Sequence, residues 1–114
     1  MKICFLDDDP KRQRKRFWAK GEDDLRQVWN ASDCIEALKE GGWQIVSLDH
    51  DLRNIPYDDP NIDNCGSAVV RWIVENKPDV EKFIVHSYNW CQAPTMVQNL
   101  LDAGYKCEYI PFNL

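Results

Sequence analysis

The sequence predicts an α/β domain in which helices cover a parallel sheet of five strands. Three observations favour this fold class. Short apolar runs alternate along the chain with segments whose apolar residues recur at helical spacing. Turn and cap residues separate the two kinds of segment. Polar residues directly follow several apolar runs, as they do at the sheet edge where α/β folds bind ligands. The 114 residues suit a single domain spanning residues 1–114.

The first half of the chain is predicted to form three strands and two helices. The strands are the short apolar runs at residues 3–6, 25–29 and 43–48. Asp9 and Pro10 open the first helix, which runs to about residue 20, because Asp is a preferred N-cap and Pro suits the first helical position. Ser32 or Asp33 caps the second helix, which ends at Leu38 before two glycines.

The second half continues the alternation. A third helix is predicted over residues 66–76, where apolar residues have helical spacing and Pro78 follows. A fourth strand covers residues 82–85. A fourth helix covers residues 93–103, with Gly104 as its C-cap. The last strand covers residues 105–111. Helices between consecutive strands imply a parallel sheet.

Composition limits the classes of function. The net charge of −5 gives no reason to expect duplex DNA binding, although residues 11–20 hold six of the fourteen Lys and Arg. The five cysteines are scattered without a CxxC pair, which argues against a zinc site and a disulfide framework. We find no signal peptide and no apolar stretch long enough for a membrane span. We therefore expect a cytoplasmic protein with reduced thiols, no membrane partner and an unassigned oligomeric state.

Polar groups follow three of the predicted strands. Asp7 and Asp8 come after the first, and the third is followed by SLDHDL, which contains Asp49, His50 and Asp51. The fourth is followed by three further polar residues, His86, Ser87 and Asn89. Because the carboxyl ends of parallel strands share one edge, these groups should converge. Several carboxylates at one point favour a hard divalent cation, Mg²⁺ or Mn²⁺.

The same residues resemble a known family. ICFLDDDP, Asp49 after QIVSL, Gly66, Ser87 and the closing IPF resemble the motifs of response-regulator receiver domains. The resemblance implies a receiver-like (flavodoxin-like), doubly wound five-stranded parallel sheet, with the first strand between the second and third. The receiver lysine is replaced by Ile110, and the chain ends without a last helix. DHDL and HSYN instead resemble the cyclic-phosphate-processing receiver domains, which implies a metal-dependent enzyme.

Roles for single residues follow from the strand ends and the resemblance together. Asp7, Asp8 and Asp49 are the predicted metal ligands. His50 or His86 is the predicted general acid or base, because imidazole transfers protons near neutral pH. Asp51 is expected to orient a histidine or a second metal. The predicted phosphate-binding residues are Ser87, Asn89 and Arg12.

The predicted function is a metal-dependent phosphoesterase acting on a cyclic phosphodiester. The substrate is a cyclic nucleotide, a cyclic oligonucleotide or an RNA-end cyclic phosphate, and the sequence leaves these open. Two alternatives belong to other classes. One is an atypical receiver that is phosphorylated on Asp49 and signals to a partner. The other is a non-catalytic module that sequesters a nucleotide.

Overall fold

The computed structural model describes residues 2–9, 24–53, 55 and 57–111. Within these residues the chain forms five strands and three helices. The strands are β1 (Lys2–Leu6), β2 (Asp24–Val28), β3 (Trp43–Leu48), β4 (Val80–Val85) and β5 (Lys106–Tyr109), and the helices are α1 (Ala31–Leu38), α2 (Gly66–Asn76) and α3 (Ala93–Asp102). The helix predicted over residues 10–20, with Arg12, lies outside the described residues. No described helix has the length and apolar character needed to cross a bilayer.

The strands form one sheet in the order β2-β1-β3-β4-β5, and every neighbouring pair is parallel. The prediction that the first strand lies between the second and third is therefore confirmed. In this register Phe5 lies beside Ser47, and Ser47 lies beside Ile84. The ends of β1, β3 and β4 are consequently adjacent at the carboxyl edge of the sheet.

Side chains alternate along the strands between two buried faces. One face packs against α1, α2 and α3, and its strand residues belong to the main core: Cys4, Leu6, Val46, Leu48, Phe83 and Val85. The residues between them, which include Ile3, Phe5 and Ile84, point to the opposite face and are also fully buried. This alternation decides on which side of the sheet each strand-end side chain lies.

The helix ends differ from the sequence prediction at α1 and at α3. Asn30, and neither Ser32 nor Asp33, is the N-cap of α1: its side-chain oxygen accepts a hydrogen bond from the Asp33 amide at 2.8 Å. Asn30 has an extended backbone, and Asn caps helices as well as Ser or Asp does, so residue type alone does not separate it from the two predicted caps. α3 ends at Asp102 with Ala103, and not Gly104, as its C-cap. Among the strands, β4 begins at Val80 and β5 ends at Tyr109.

Candidate functional site

The candidate site lies where β1, β3 and β4 end. The parallel hydrogen-bonding pattern continues one residue beyond each strand, through the amides of Asp7, Asp49 and His86, at 3.1, 3.1 and 2.9 Å from carbonyl oxygens of neighbouring strands. Because side chains alternate, these three residues lie on the same face as Phe5 and Ser47. The sheet therefore places two carboxylates and an imidazole together.

Asp7, Asp49 and His86 form what we call the acid cluster. Each residue offers one possible ligand atom, and these atoms all lie within 4.8 Å of one another. The three side chains are buried, with exposed fractions of 0, 2 and 0%. Nε2 of His86 lies 3.0 Å from Oδ2 of Asp7. The second oxygen of Asp7 accepts the Asp9 amide at 2.9 Å, which fixes the plane of this carboxylate.

The imidazole of His86 is held by its surroundings. Its ring stacks on Phe5, with ring centres 4.6 Å apart and planes 1° from parallel. Its Nδ1 lies 2.6 Å from Oγ of Ser47, which is fully buried in β3. The sequence analysis did not identify Ser47. The available signal was its position two residues before Asp49, which places both side chains on one face of the strand.

The structure brings together two of the three predicted metal ligands. Asp7 and Asp49 are neighbours, whereas Asp8 is not part of the acid cluster. Consecutive residues at a strand end point in different directions, and the role of Asp8 as a ligand stays a prediction. His86, predicted as an acid or base, contributes the third possible ligand atom. Arg12 lies outside the described residues.

The acid cluster suits a divalent cation. Two carboxylates are typical ligands for Mg²⁺ or Mn²⁺. The imidazole adds a nitrogen donor, which favours Mn²⁺, the transition metal of the predicted pair. The residues present therefore fit the predicted cofactor.

His50 belongs to a different group of residues. It follows Leu48 on the helix side of the sheet, where its Nδ1 lies 2.8 Å from Oδ1 of Asp51. The amide nitrogen of Asn89 lies 3.1 Å from the same oxygen. We call His50, Asp51 and Asn89 the loop network. Nε2 of His50 is buried and has no hydrogen-bond partner among the residues that the structure describes, although the Cys65 thiol lies next to the ring.

The loop network joins the segment after β3 to the start of α3. Asp51 also accepts the amides of Tyr57 and Asp58, each at 3.0 Å. Oδ1 of Asn89 accepts the amides of Cys91 and Gln92, each at 3.1 Å, just before α3. The side-chain atoms of Asp51 and Asn89 are thus bonded within the protein.

Shifted pKa values occur at His50 of the loop network and at the neighbouring Cys65. Burial lowers the pKa of His50, but the neighbouring Cys65 and Asp51 side chains outweigh it, so the net pKa is raised. Burial raises the pKa of the Cys65 thiol, but His50 and the backbone amides of Ala68 and Ser67 reverse this, so the net pKa is lowered. Cys65 precedes α2 as its N-cap residue, where helix amides favour negative charge.

Ser87 lies between the two groups along the chain. It is buried, and its Oγ accepts the Asn89 amide at 3.0 Å. Its carbonyl oxygen accepts the Tyr109 hydroxyl at 2.7 Å, which ties the end of β4 to the end of β5. Its predicted phosphate contact, like that of Asn89, stays a prediction.

Gly66 allows α2 to begin against the acid cluster. Its amide donates to the His50 carbonyl oxygen at 2.9 Å. A Cβ at this position would lie 2.1 Å from the Asp49 carbonyl oxygen and 2.7 Å from Cε of Met96. Any side chain would therefore move the backbone of Asp49 or α2. Only glycine permits this approach.

The fold is that of receiver domains. The signal receiver domain of a protein described as a Luxo repressor from Vibrio parahaemolyticus superimposes with a TM-score of 0.67 at 16% identity, covering 99% of this chain and 78% of that one. The receiver domain of the Francisella response regulator 1452 superimposes with a TM-score of 0.64 at 13% identity, covering 98% and 85%. At these identities the likeness concerns the fold alone.

Sequence comparison defines the family. No curated protein matches the chain with significant similarity. The family model described as the cyclic-phosphate processing receiver domain matches residues 2–102, which include every residue of the acid cluster and the loop network. With that match over most of its length and a receiver fold, the chain belongs to the family of cyclic-phosphate processing receiver domains.

Proposed function

We propose that this protein is a metal-dependent phosphoesterase that hydrolyses a cyclic phosphodiester, with Asp7, Asp49 and His86 holding the cation. The observation that carries the proposal is the buried acid cluster at the carboxyl edge of the sheet, in a chain of a cyclic-phosphate processing family. The substrate is a cyclic nucleotide, a cyclic oligonucleotide or an RNA-end cyclic phosphate.

In this reaction an anionic substrate would approach the two carboxylates of the cluster. A phosphodiester is an anion, and Asp7 and Asp49 bring two carboxylates to the same point. Like charges in a buried pocket repel each other strongly. A divalent cation bound there would neutralise this charge, polarise a phosphoryl oxygen and lower the pKa of a bound water. Asp7 and Asp49 supply the negative charge that retains it.

Hydrolysis requires proton transfers as well. Water adds to phosphorus, one ring P–O bond breaks, and the leaving oxygen takes up a proton. We assign Nε2 of His86 to the cation, because this atom faces Asp7 at 3.0 Å while Nδ1 is bonded to Ser47. Of the two histidines predicted as acid or base, this leaves His50, through its Nε2, for proton transfer. His50 lies beside Cys65, on the opposite side of the sheet from the acid cluster. Its role in proton transfer therefore needs a direct test.

The function is tested by incubating the protein with a panel of cyclic mononucleotides, cyclic oligonucleotides and RNA with a cyclic-phosphate end. Mn²⁺ or Mg²⁺ is present in one series and a chelator in the other. We expect ring opening or cleavage that the chelator abolishes. In the active reaction, His50→Ala should lower turnover by ~10²–10⁴-fold if this residue transfers the proton. Full activity of His50→Ala would remove it from the mechanism.

The receiver fold favours a second candidate function. Asp49 ends β3 beside Asp7 at the sheet edge, which is the place the resemblance gives to the phosphoacceptor of receiver domains. In this alternative, Asp49 accepts a phosphoryl group and the protein signals to a partner. Intact protein mass after the same incubations distinguishes the candidates. A stable phosphoaspartate supports the receiver, and tight nucleotide binding without turnover or phosphorylation supports the sequestering module.

A further inference from the structure

We propose that Ser47 is a positioning residue that keeps the proton of His86 on Nδ1 and so presents the lone pair of Nε2 to a divalent cation. The inference rests on the cation site of the proposed function and is independent of which reaction that site performs. It concerns a residue in the middle of the sheet that touches neither substrate nor cation.

The position of Ser47 is unusual for a hydroxyl. It lies in β3 between Phe5 of β1 and Ile84 of β4 and has no exposed surface. Burying a hydroxyl without a partner is unfavourable, and an apolar residue would suit this strand better. Oγ of Ser47 lies 2.6 Å from Nδ1 of His86, so the imidazole satisfies it. The hydroxyl is therefore tied to the orientation of this ring.

The ring of His86 has few ways to turn. Phe5 stacks on it, Ser47 contacts one nitrogen and Asp7 contacts the other. A neutral imidazole carries its proton on either nitrogen, and the two tautomers offer opposite atoms as acceptors. Nε2 can bind a cation only when the proton is on Nδ1. That proton then requires an acceptor, and Oγ of Ser47 is at the right distance.

Groups that fix the second nitrogen of a ligating histidine have a measurable effect. Their removal typically weakens metal binding 10–100-fold, because the wrong tautomer must first convert and the ring loses its orientation. We therefore expect Ser47→Ala to bind Mn²⁺ 10–100-fold more weakly than wild type. Ser47→Thr keeps the hydroxyl on a residue that suits a strand, and it should restore most of the affinity.

The first experiment measures Mn²⁺ affinity by titration calorimetry on wild type, Ser47→Ala and Ser47→Thr. Ser67→Ala serves as a matched control, because this serine lies in α2 outside the acid cluster and should keep wild-type affinity. Equal affinity of folded Ser47→Ala and wild type would overturn the proposal. Binding of no Mn²⁺ or Mg²⁺ by wild type would overturn it together with the cation site.

The second experiment reads the tautomer directly, which a merely structural role for Ser47 would not affect. The chain has two histidines, so ¹⁵N-labelled imidazole signals are readily assigned by comparison with His50→Gln. With Mg²⁺ bound, His86 of the wild type should carry its proton on Nδ1, and Ser47→Ala should show a mixture. A proton on Nε2 in the Mg²⁺-bound wild type contradicts the proposal, even where Ser47→Ala fails to fold.

The proposal and the proposed function fail in different ways. If Mn²⁺ binds and its affinity depends on Ser47, but no cyclic phosphate is turned over, the role of Ser47 stands and the phosphoesterase does not. If turnover occurs and Ser47→Ala binds Mn²⁺ like wild type, the phosphoesterase stands and the role of Ser47 does not.

Discussion

The two histidines of this chain lie at the ends of adjacent strands, yet they belong to different structures. His86 lies on the same face as Asp7 and Asp49 and forms the acid cluster with them. His50 lies on the helix side and joins Asp51 and Asn89 in the loop network. The first group gathers negative charge at a point. The second bonds its side chains to backbone amides of two loops. His86 therefore belongs to the candidate ligand site, and His50 belongs to the loops around that site.

The difference follows from side-chain alternation along the strands. His86 is two residues beyond Ile84, so it shares the face of Phe5 and Ser47. His50 is two residues beyond Leu48, so it shares the face of the main core and meets Cys65 at the start of α2. The sheet face on which a strand-end histidine lies is therefore found by counting back two residues at a time along its strand. The sequence motif alone does not give that face.

The largest effect is expected where the two groups meet, at Gly66. Its amide bonds to the His50 carbonyl, and a Cβ would overlap the Asp49 carbonyl oxygen at 2.1 Å. We expect Gly66→Ala to lower the free energy of unfolding by about 3 kcal/mol, at the upper end for overpacked sites. Urea denaturation measures this loss of stability. Ser67→Ala, one residue further along α2, should change stability far less. If Gly66→Ala keeps wild-type stability and wild-type Mn²⁺ affinity, the acid cluster and the loop network do not depend on the close approach of α2 to Asp49.

A cation should stabilise the protein through the acid cluster alone. At a concentration 100 times its dissociation constant, Mn²⁺ should add about 2.7 kcal/mol to the free energy of unfolding. We expect Asp49→Asn to abolish this gain, because a carboxylate ligand is lost, and thermal melts with and without Mn²⁺ measure it. Asp102→Asn is the control, since this exposed carboxylate at the end of α3 is not part of the acid cluster. If Asp49→Asn keeps the full thermal shift, Asp49 is not a ligand.

The loop network should contribute stability without contributing to cation binding. Asp51→Ala removes the acceptor of His50, Asn89 and two loop amides. Unpaired buried donors are unfavourable, and we expect a loss of about 2 kcal/mol in urea denaturation. Mn²⁺ affinity of the folded variant should stay within about threefold of wild type, since Asp51 has no bond to the acid cluster. A tenfold loss of affinity would show that the two groups are coupled.

The sequence predicted the sheet well because its signals are local. Short apolar runs between caps and turns identify strands, and helices between them require parallel pairing. The order of strands came from the resemblance to receivers. Asp7 and Asp49 were predicted together because strand ends at one edge converge. These inferences needed no knowledge of which side chains touch.

Three features of the site were not predictable for physical reasons. The spacing of Ser47 from Asp49 gives the face of its side chain, but nothing in the sequence indicates its bond to a histidine 39 residues away. The neighbour of Asp7 in the acid cluster is His86 and not Asp8, and this depends on the directions of side chains at a strand end. Asp51 was expected to orient a histidine or a second metal, and it does contact His50, but its bonds to the amides of Tyr57 and Asp58 depend on the path of a loop that the sequence does not give.

The smallest expected effect is a pH dependence confined to the loop network. The pKa of His50 is raised, despite burial, by its Cys65 and Asp51 neighbours. A group whose folded pKa exceeds its unfolded value contributes stability that is complete below the unfolded value, ~6.5 for histidine, and is lost as the pH rises through the folded value. We therefore expect wild type to lose stability relative to His50→Gln as the pH rises above about 6.5.

The unbonded nitrogen explains where this proton goes. We place the proton of neutral His50 on Nδ1, 2.8 Å from the Asp51 carboxylate, so that a second proton would bind at Nε2, for which the described residues offer no hydrogen-bond partner. The charged form then gains the neighbouring Cys65 sulfur as an acceptor. Cys65→Ser removes that thiol and should reduce the pH-dependent difference measured by urea denaturation between pH 6 and pH 8. If the free energies of unfolding of wild type and His50→Gln change in parallel with pH, His50 stays in one charge state throughout this range. The bonds of His50 to Asp51 alone would then account for its effect on the fold.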